Sequence, residues 1–110
     1  MKILVIGDAG IDVFVYGNCS RLAPEAPVPV LDIEEIKENI GMAGNVFENL
    51  NSLGAEATLI CNENWEEIRK TRYIDNASNH IFIRVDSKCD KIKKIKKEVI
   101  PNLKDFDAII

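Results

Sequence analysis

Ile3 to Ile6 is an unbroken aliphatic run closed by Gly7-Asp8. A run with no polar face reads as a strand covered on both sides, as in a parallel sheet. Asp12-Val13-Phe14-Val15-Tyr16, ended by Gly17-Asn18, is a second short extended run. Pro24-Glu25-Ala26-Pro27-Val28-Pro29-Val30-Leu31 follows. Its prolines forbid a helix, and each removes a ladder donor, which leaves an edge strand or a polyproline-like arm lying over something. The charges from Ile33 to Ile40 would suit a helix. Ile36, Glu38 and Ile40 nevertheless share one parity and a glycine follows at once, so a strand is expected.

From Met42 to Leu53 the period changes. Ala43, Val46, Phe47, Leu50 and Leu53 recur at helical spacing, and Gly54 stands where a C-terminal cap belongs. Ala57 to Cys61 is again a strand. Strand, helix and strand in this order predict an α/β sheet with right-handed crossovers. Lys70 to Ile74 and His80 to Asp86 flank the turn-rich Asp75-Asn76-Ala77-Ser78-Asn79 and predict a hairpin. Asp90 is placed to cap a helix running to about Ile100, with Ile92, Ile95 and Val99 on one face and Pro101 beyond its end. Asp107-Ala108-Ile109-Ile110 reads as the start of another buried strand. No repeat, low-complexity tract or linker interrupts the 110 residues, which allow one domain at most.

Composition narrows the function classes. With 46% hydrophobic and 29% charged residues the chain is an ordinary folded one. A net charge of −4 argues against a nucleic-acid partner, which calls for a basic surplus. Cys19, Cys61 and Cys89 are odd in number and far apart, and the single His80 has no partner at ligand spacing. Neither a disulfide framework nor a metal site is expected, and reduced thiols in a cytoplasmic protein are the simplest account. Asp8 interrupts the short N-terminal apolar run before any leader-peptide pattern, and no segment reaches the roughly 18–20 apolar residues of a membrane span.

Two stretches carry candidate chemistry. Gly41-Met42-Ala43-Gly44-Asn45 opens the amphipathic helix. Glycines there let backbone N–H groups approach a ligand at a helix N-terminus, and Asn45 adds a donor and an acceptor. Plain loop-to-helix packing is the competing account. Gly7-Asp8-Ala9-Gly10-Ile11-Asp12 follows the first strand, at the end where open α/β sheets bind ligands. Two carboxylates four residues apart, Asp8 and Asp12, suit a polyol; the competing account is a polar turn bonded to its own backbone. Neither a P-loop nor a dinucleotide fingerprint occurs. The lysines Lys88, Lys91, Lys93, Lys94, Lys96 and Lys97 read as a solvated helix face, the acids Asp32, Glu34, Glu35 and Glu38 as surface, Trp65 as a packing residue and His80 as a strand residue with a local hydrogen bond.

Taken together, Gly7-Asp8 to Asp12, Tyr16-Gly17, Ser20-Arg21-Leu22-Ala23-Pro24-Glu25-Ala26-Pro27-Val28-Pro29-Val30, the Gly41-to-Asn45 turn and Leu53-Gly54-Ala55 resemble one family in order and spacing. That family is the heptose-7-phosphate kinase branch of the ribokinase-like (PfkB-type) carbohydrate kinases, which make ADP-heptose for lipopolysaccharide. Lys70-Thr71-Arg72 and Ile83-Arg84-Val85-Asp86 extend the resemblance over nearly the whole chain. It implies an α/β fold: a partial ribokinase-like parallel sheet with flanking helices and a small β lid, truncated, with residues 1–110 forming the N-terminal sugar-binding and lid portion of a kinase domain. It also implies a sugar phosphate as substrate, held by Asp8, Asp12, Gly41, Gly44, Asn45 and Arg84. Lids are expected to pair into a homodimer, with Pro27, Val28 and Val30 at the contact.

The chain departs from the family pattern in several places. Met42 replaces the second glycine of the turn, adding bulk where the sugar would approach, and Gly44 replaces the usual alanine. Only Asn62 to Arg69 stands where the family has a further strand, helix and loop. Ile110 precedes the family's Ser-Asp-Tyr segment and its later Gly-Ala-Gly-Asp turn, which supplies the catalytic base and an anion hole. No catalytic residue is therefore expected here. ATP and magnesium belong to the complete kinase, whose nucleotide half would be a separate part. Three readings stay open: a fragment or split part of a sugar kinase, a non-enzymatic sugar-binding or dimerisation module derived from one, and an unrelated small α/β protein.

Overall fold

Leu4 and Val5 are sealed from solvent at 0% and 1% exposure, as their place in the middle of a parallel sheet requires. The computed structural model describes residues 1–87 and 91–110. Strand β1 (Lys2–Ile6) is the centre of a three-stranded parallel sheet, with β4 (Glu56–Ile60) on one side and β7 (Ala108–Ile109) on the other. The single α-helix among the described residues, α1 (Ala43–Ser52), packs on β1 and β4 and on the end of β3 (Asp32–Met42). Its apolar residues Val46, Phe47 and Leu50 are half-buried, while Leu53 falls at the C-cap and is exposed. Gly54 leaves the helix at φ 84°, a conformation glycine adopts without steric cost.

The second sheet is mixed. Its order is β3, β2 (Ala9–Asn18), β5 (Arg69–Asp75), β6 (Ile81–Asp86). β2 runs antiparallel to β3 and parallel to β5, and β5 and β6 form the expected hairpin. Asp75 closes that hairpin: its carboxylate accepts from the Ser78 amide at 3.0 Å and the Ser78 hydroxyl at 2.7 Å. His80 sits in the turn just ahead of β6 and donates its amide to Ser78 Oγ. The second strand is twice as long as the alternation suggested, because β3 pairs with it from Ala9 onward.

The proline-rich arm is no edge strand. It folds back on itself, with Ala23 N–H donating to Val28 O, Val30 N–H to Arg21 O, and one bridge between Leu22 and Pro29. The expected helix up to Ile100 is also absent. Its cap Asp90 lies outside the described residues, as do Lys88 and Cys89. Lys91 to Lys96 has no regular structure, and Lys97–Val99 is one 3-10 turn. A helix would set Lys93 beside Lys97 and Lys94 beside Lys97, and like charges at those spacings destabilise. The Asn64 side chain offers the backbone another partner, donating to Lys91 O and accepting from Lys93 N–H, both at 3.0 Å. The lysines of this segment are nonetheless exposed.

Asn62 is the buried polar group that ties the two sheets together. Fully enclosed at the end of β4, its Oδ1 accepts the Ala9 amide at 2.7 Å, and its Nδ2 donates to Asn64 Oδ1 at 3.1 Å. Deleting one partner of a buried hydrogen bond costs about 1–3 kcal/mol. Asn62→Ala is expected to lower the urea unfolding free energy by that amount. A change under about 0.5 kcal/mol, within the range of an ordinary surface substitution, would show that the junction carries no such load.

Candidate functional site

The register of the mixed sheet sorts its side chains into rows on opposite faces, since adjacent residues of a strand point to opposite sides. One face carries the rows Asn39–Asp12–Lys70–Asp86 and Lys37–Phe14–Arg72–Arg84. The other carries Glu38–Val13–Thr71–Val85 and Ile36–Val15–Tyr73–Ile83. The first face is charged and aromatic, the second largely apolar. Phe14 and Tyr16 stack at 6.4 Å between centroids, with Lys37 Nζ 5.7 Å from the Tyr16 ring and the Arg72 guanidinium 5.2 Å from the Phe14 ring.

Where the charged face meets α1 there is a cleft of about 670 Å³, lined by Asp12, Phe14, Glu38, Asn39, Ile40, Asn45 and Glu48. Three carboxylates and two carboxamides supply many hydrogen-bond acceptors and a few donors, and Phe14 supplies an apolar surface. That lining suits a polyhydroxylated ligand with an apolar ring face. Asp12 Oδ1 accepts from Arg72 Nη1 at 3.0 Å, and both side chains are about three-quarters buried. Gly41 lies directly opposite Gly10, and a Cβ on it would meet Asp12 Oδ2 at 2.5 Å. Only glycine leaves the Asp12 carboxylate its place.

Of the residues singled out from the sequence, Asp12, Asn45 and Gly41 come together. Gly44 is buried, and a side chain there would collide with Ile40, so it serves the packing of α1 on β3. Asp8 is exposed in the turn between β1 and β2; its carbonyl accepts the Ala43 amide at 2.9 Å, and its side chain is not part of the cleft lining. Arg84 shares the charged face but stands two strands away, holding Asp86 through two contacts of 2.9 Å. Met42 is absent from the cleft lining. Sequence reasoning missed Arg72, Asn39 and Glu48.

Other hollows lie among the described residues. One of about 430 Å³ is apolar and runs between Val28, Pro29 and Leu31 of the arm and Tyr73, Phe82 and Ile83. Another, about 280 Å³, lies at the end of β4 among Cys61, Trp65, Lys96 and Val99; burial raises the Cys61 thiol above its ordinary range, away from thiolate chemistry. Among the described residues no three His, Cys, Asp or Glu side chains are grouped to hold a metal ion, and no helix is long and apolar enough to cross a membrane.

No family model matches the sequence. Individual proteins do. The chain is homologous to the N-terminal part of proteins named bifunctional protein HldE: 34% identical to that of Nitratiruptor sp. over 99% of its length, and 41% identical to that of Sulfurimonas denitrificans over 86%. It spans about a quarter of these curated relatives, 28% and 21% of their lengths. Among solved structures, a carbohydrate kinase from Agrobacterium tumefaciens has a TM-score of 0.46 and 18% identity, covering 78% of this chain and 35% of that one. A microbiome-derived acarbose kinase has 0.42 and 14%, covering 79% and 36%.

Met42 marks the site's one strained backbone position. It has φ 58° and ψ −128°, in a region that favours glycine, and no side chain caps the helix it precedes. Strain of this kind costs about 1–3 kcal/mol, against about 0.4–1 kcal/mol of chain entropy that glycine adds to the unfolded state. Met42→Gly is therefore expected to raise stability by about 1 kcal/mol, whereas Met42→Ala should not. Urea midpoints of both variants check this, and a destabilised glycine variant would contradict it.

Proposed function

We propose that this homologue of the HldE N-terminal region is the sugar-binding and lid portion of a carbohydrate kinase domain, residues 1–110, and that its cleft takes a sugar phosphate of the heptose class. The observation that carries the reading is the convergence of Asp12 and Asn45 on one cleft, from the start of the lid sheet and the N-terminus of α1. Asp12 accepts hydrogen bonds from sugar hydroxyls, Asn45 and Asn39 add amide donors and acceptors, and the ring of Phe14 faces the sugar's apolar side. Phosphoryl transfer depends on charge stabilisation and positioning at the reacting phosphate. On this reading ATP and magnesium belong to the remainder of a complete kinase, and this portion supplies the sugar site.

Calorimetry with a panel of heptose and hexose phosphates tests this. Losing a hydrogen bond to a charged group costs about 1.5–3 kcal/mol, so Asp12→Asn should weaken binding by roughly ten- to a hundredfold. Asn45→Ala should weaken it less. If both variants lose thermal stability with no ligand-specific change, the two side chains serve only their turns and the reading fails.

The outer face of the lid sheet supports a second component, a homodimer. Ile36 and Ile83 flank the pair of buried Val15 and half-buried Tyr73 and are 58% and 57% exposed, with Val28 and Val85 nearby. An apolar row of this kind on a two-edged sheet invites a partner. Light scattering is expected to give a dimer that Ile36→Glu with Ile83→Glu converts to monomer, with sugar-phosphate affinity retained. A wild-type chain that stays monomeric at high concentration would remove the dimer and leave the cleft untouched.

A further inference from the structure

Arg72 and Arg84 stand directly opposite each other on antiparallel strands. Cβ atoms of such a pair are about 4.5–5.5 Å apart, and like charges there repel. Each arginine is offset by a carboxylate, but unequally. Arg84 engages both oxygens of Asp86, through Nε–Oδ1 at 2.9 Å and Nη2–Oδ2 at 2.9 Å. Arg72 holds Asp12 by one nitrogen, Nη1, at 3.0 Å; the same nitrogen makes a marginal 3.5 Å contact with Lys70 O. Its Nη2 and Nε have no protein acceptor among the described residues, and its plane rests near the Phe14 ring. Guanidinium presents five donors in a fork matched to carboxylate or phosphate, and a one-point pair uses little of that capacity.

We infer that Arg72 exchanges partners on ligand binding: in the free protein it occupies Asp12, and a phosphate monoester draws it toward the Arg84 side, releasing Asp12 Oδ1 for sugar hydroxyls. The inference rests on the sugar-phosphate reading of the cleft and adds its selectivity. The charged face has two poles. Asp12, joined at the cleft by Glu48 of α1, forms the acidic one, and Lys70, Arg72 and Arg84 on β5 and β6 the cationic one, which Asp86 partly offsets, with Arg72 at the boundary. An unphosphorylated sugar must compete with Arg72 for Asp12. An anion removes that competition and relieves the Arg72–Arg84 repulsion. Phosphate and polyol therefore bind cooperatively, and linkage makes the effect reciprocal. The site is thereby selective for sugars that carry their own phosphate.

The test uses the full chain and three ligands: the tightest sugar phosphate of the panel, its dephosphorylated parent, and inorganic phosphate. The parent sugar is expected to bind at least about fivefold tighter in saturating inorganic phosphate, the lower end of ordinary coupling. Arg72→Gln should abolish that gain and bring the sugar phosphate close to the affinity of its parent. Arg72→Lys keeps the charge and loses the planar fork; it should fold if the glutamine variant does not, and should reduce the coupling. If wild type binds the sugar phosphate, inorganic phosphate leaves the parent's affinity unchanged, and either Arg72 variant weakens both ligands equally, the exchange is overturned while the sugar site stands. If wild type binds no sugar phosphate, the cleft reading falls and the exchange with it.

Discussion

The structure turns on the amide of Ala9. It is fully buried, and it begins a second sheet only two residues after the first sheet's central strand has ended. A buried N–H needs an acceptor, and here it is Asn62 Oδ1 at 2.7 Å, reaching across from the end of β4. One residue earlier, Asp8 O accepts the first amide of α1. Two residues later, Ile11 N–H donates to Ile68 O at 2.7 Å. Three chain segments are thus pinned around one turn. Asp12 is three residues beyond Ala9, and Asn45 is two beyond Ala43. Both walls of the cleft are thus anchored at the same place.

The rest of the molecule is open. Its accessible surface is 7589 Å², against about 6,100 Å² for a compact monomer of this mass. Its radius of gyration is 18.3 Å where about 13 Å would be ordinary, and one dimension is only 15 Å, close to a single layer. Two sheets side by side, with one helix between them, cannot cover both faces of either. Val13 and Val15 of the central strand are buried, while Ile36, Ile83 and Val85 are left half in solvent. The alternation along β2 and β6 gives the two faces of the sheet different characters, one charged and one apolar.

Much of this was legible in the sequence. The aliphatic run of β1, the 3.6-residue period of α1 and the turn chemistry of Asp75 to Asn79 each follow local rules that tertiary structure did not override. β3 was legible by parity despite its charges, because a solvent-facing edge strand tolerates them. The helix expected near Ile100 was not, for a physical reason. Lysine repulsion and the Asn64 side chain both favour extended backbone there, and Ile95 and Val99 reach the hollow at the end of β4 without a helix. Asp12 and Asn45 could be brought together from the sequence because their motifs lie at element ends, which the fold sets beside one cleft. Arg72 and Asn62 could not, since the role of each depends on a partner about fifty to sixty positions away in the chain.

The chemistry of the cleft depends on strand register more than on any single contact. A slip of one residue in β2 would send Asp12 and Phe14 to the apolar face and Val13 to the cleft. Register shifts do occur in this sheet, between Tyr16 and Gly17 against β3 and between Tyr73 and Ile74 against β6. Tyr16 and Ile74 are themselves paired, so both irregularities lie at one level of the sheet, at the end away from α1. The rows through Asp12 and Phe14 lie on the other side of that level and pair without interruption across all the strands. Bulges twist and bend the strands that carry them. Confined here, they shape the sheet's outer end, where the proline arm, Tyr73 and Ile83 line one hollow, and leave the ion pair of Asp12 and Arg72 in regular sheet.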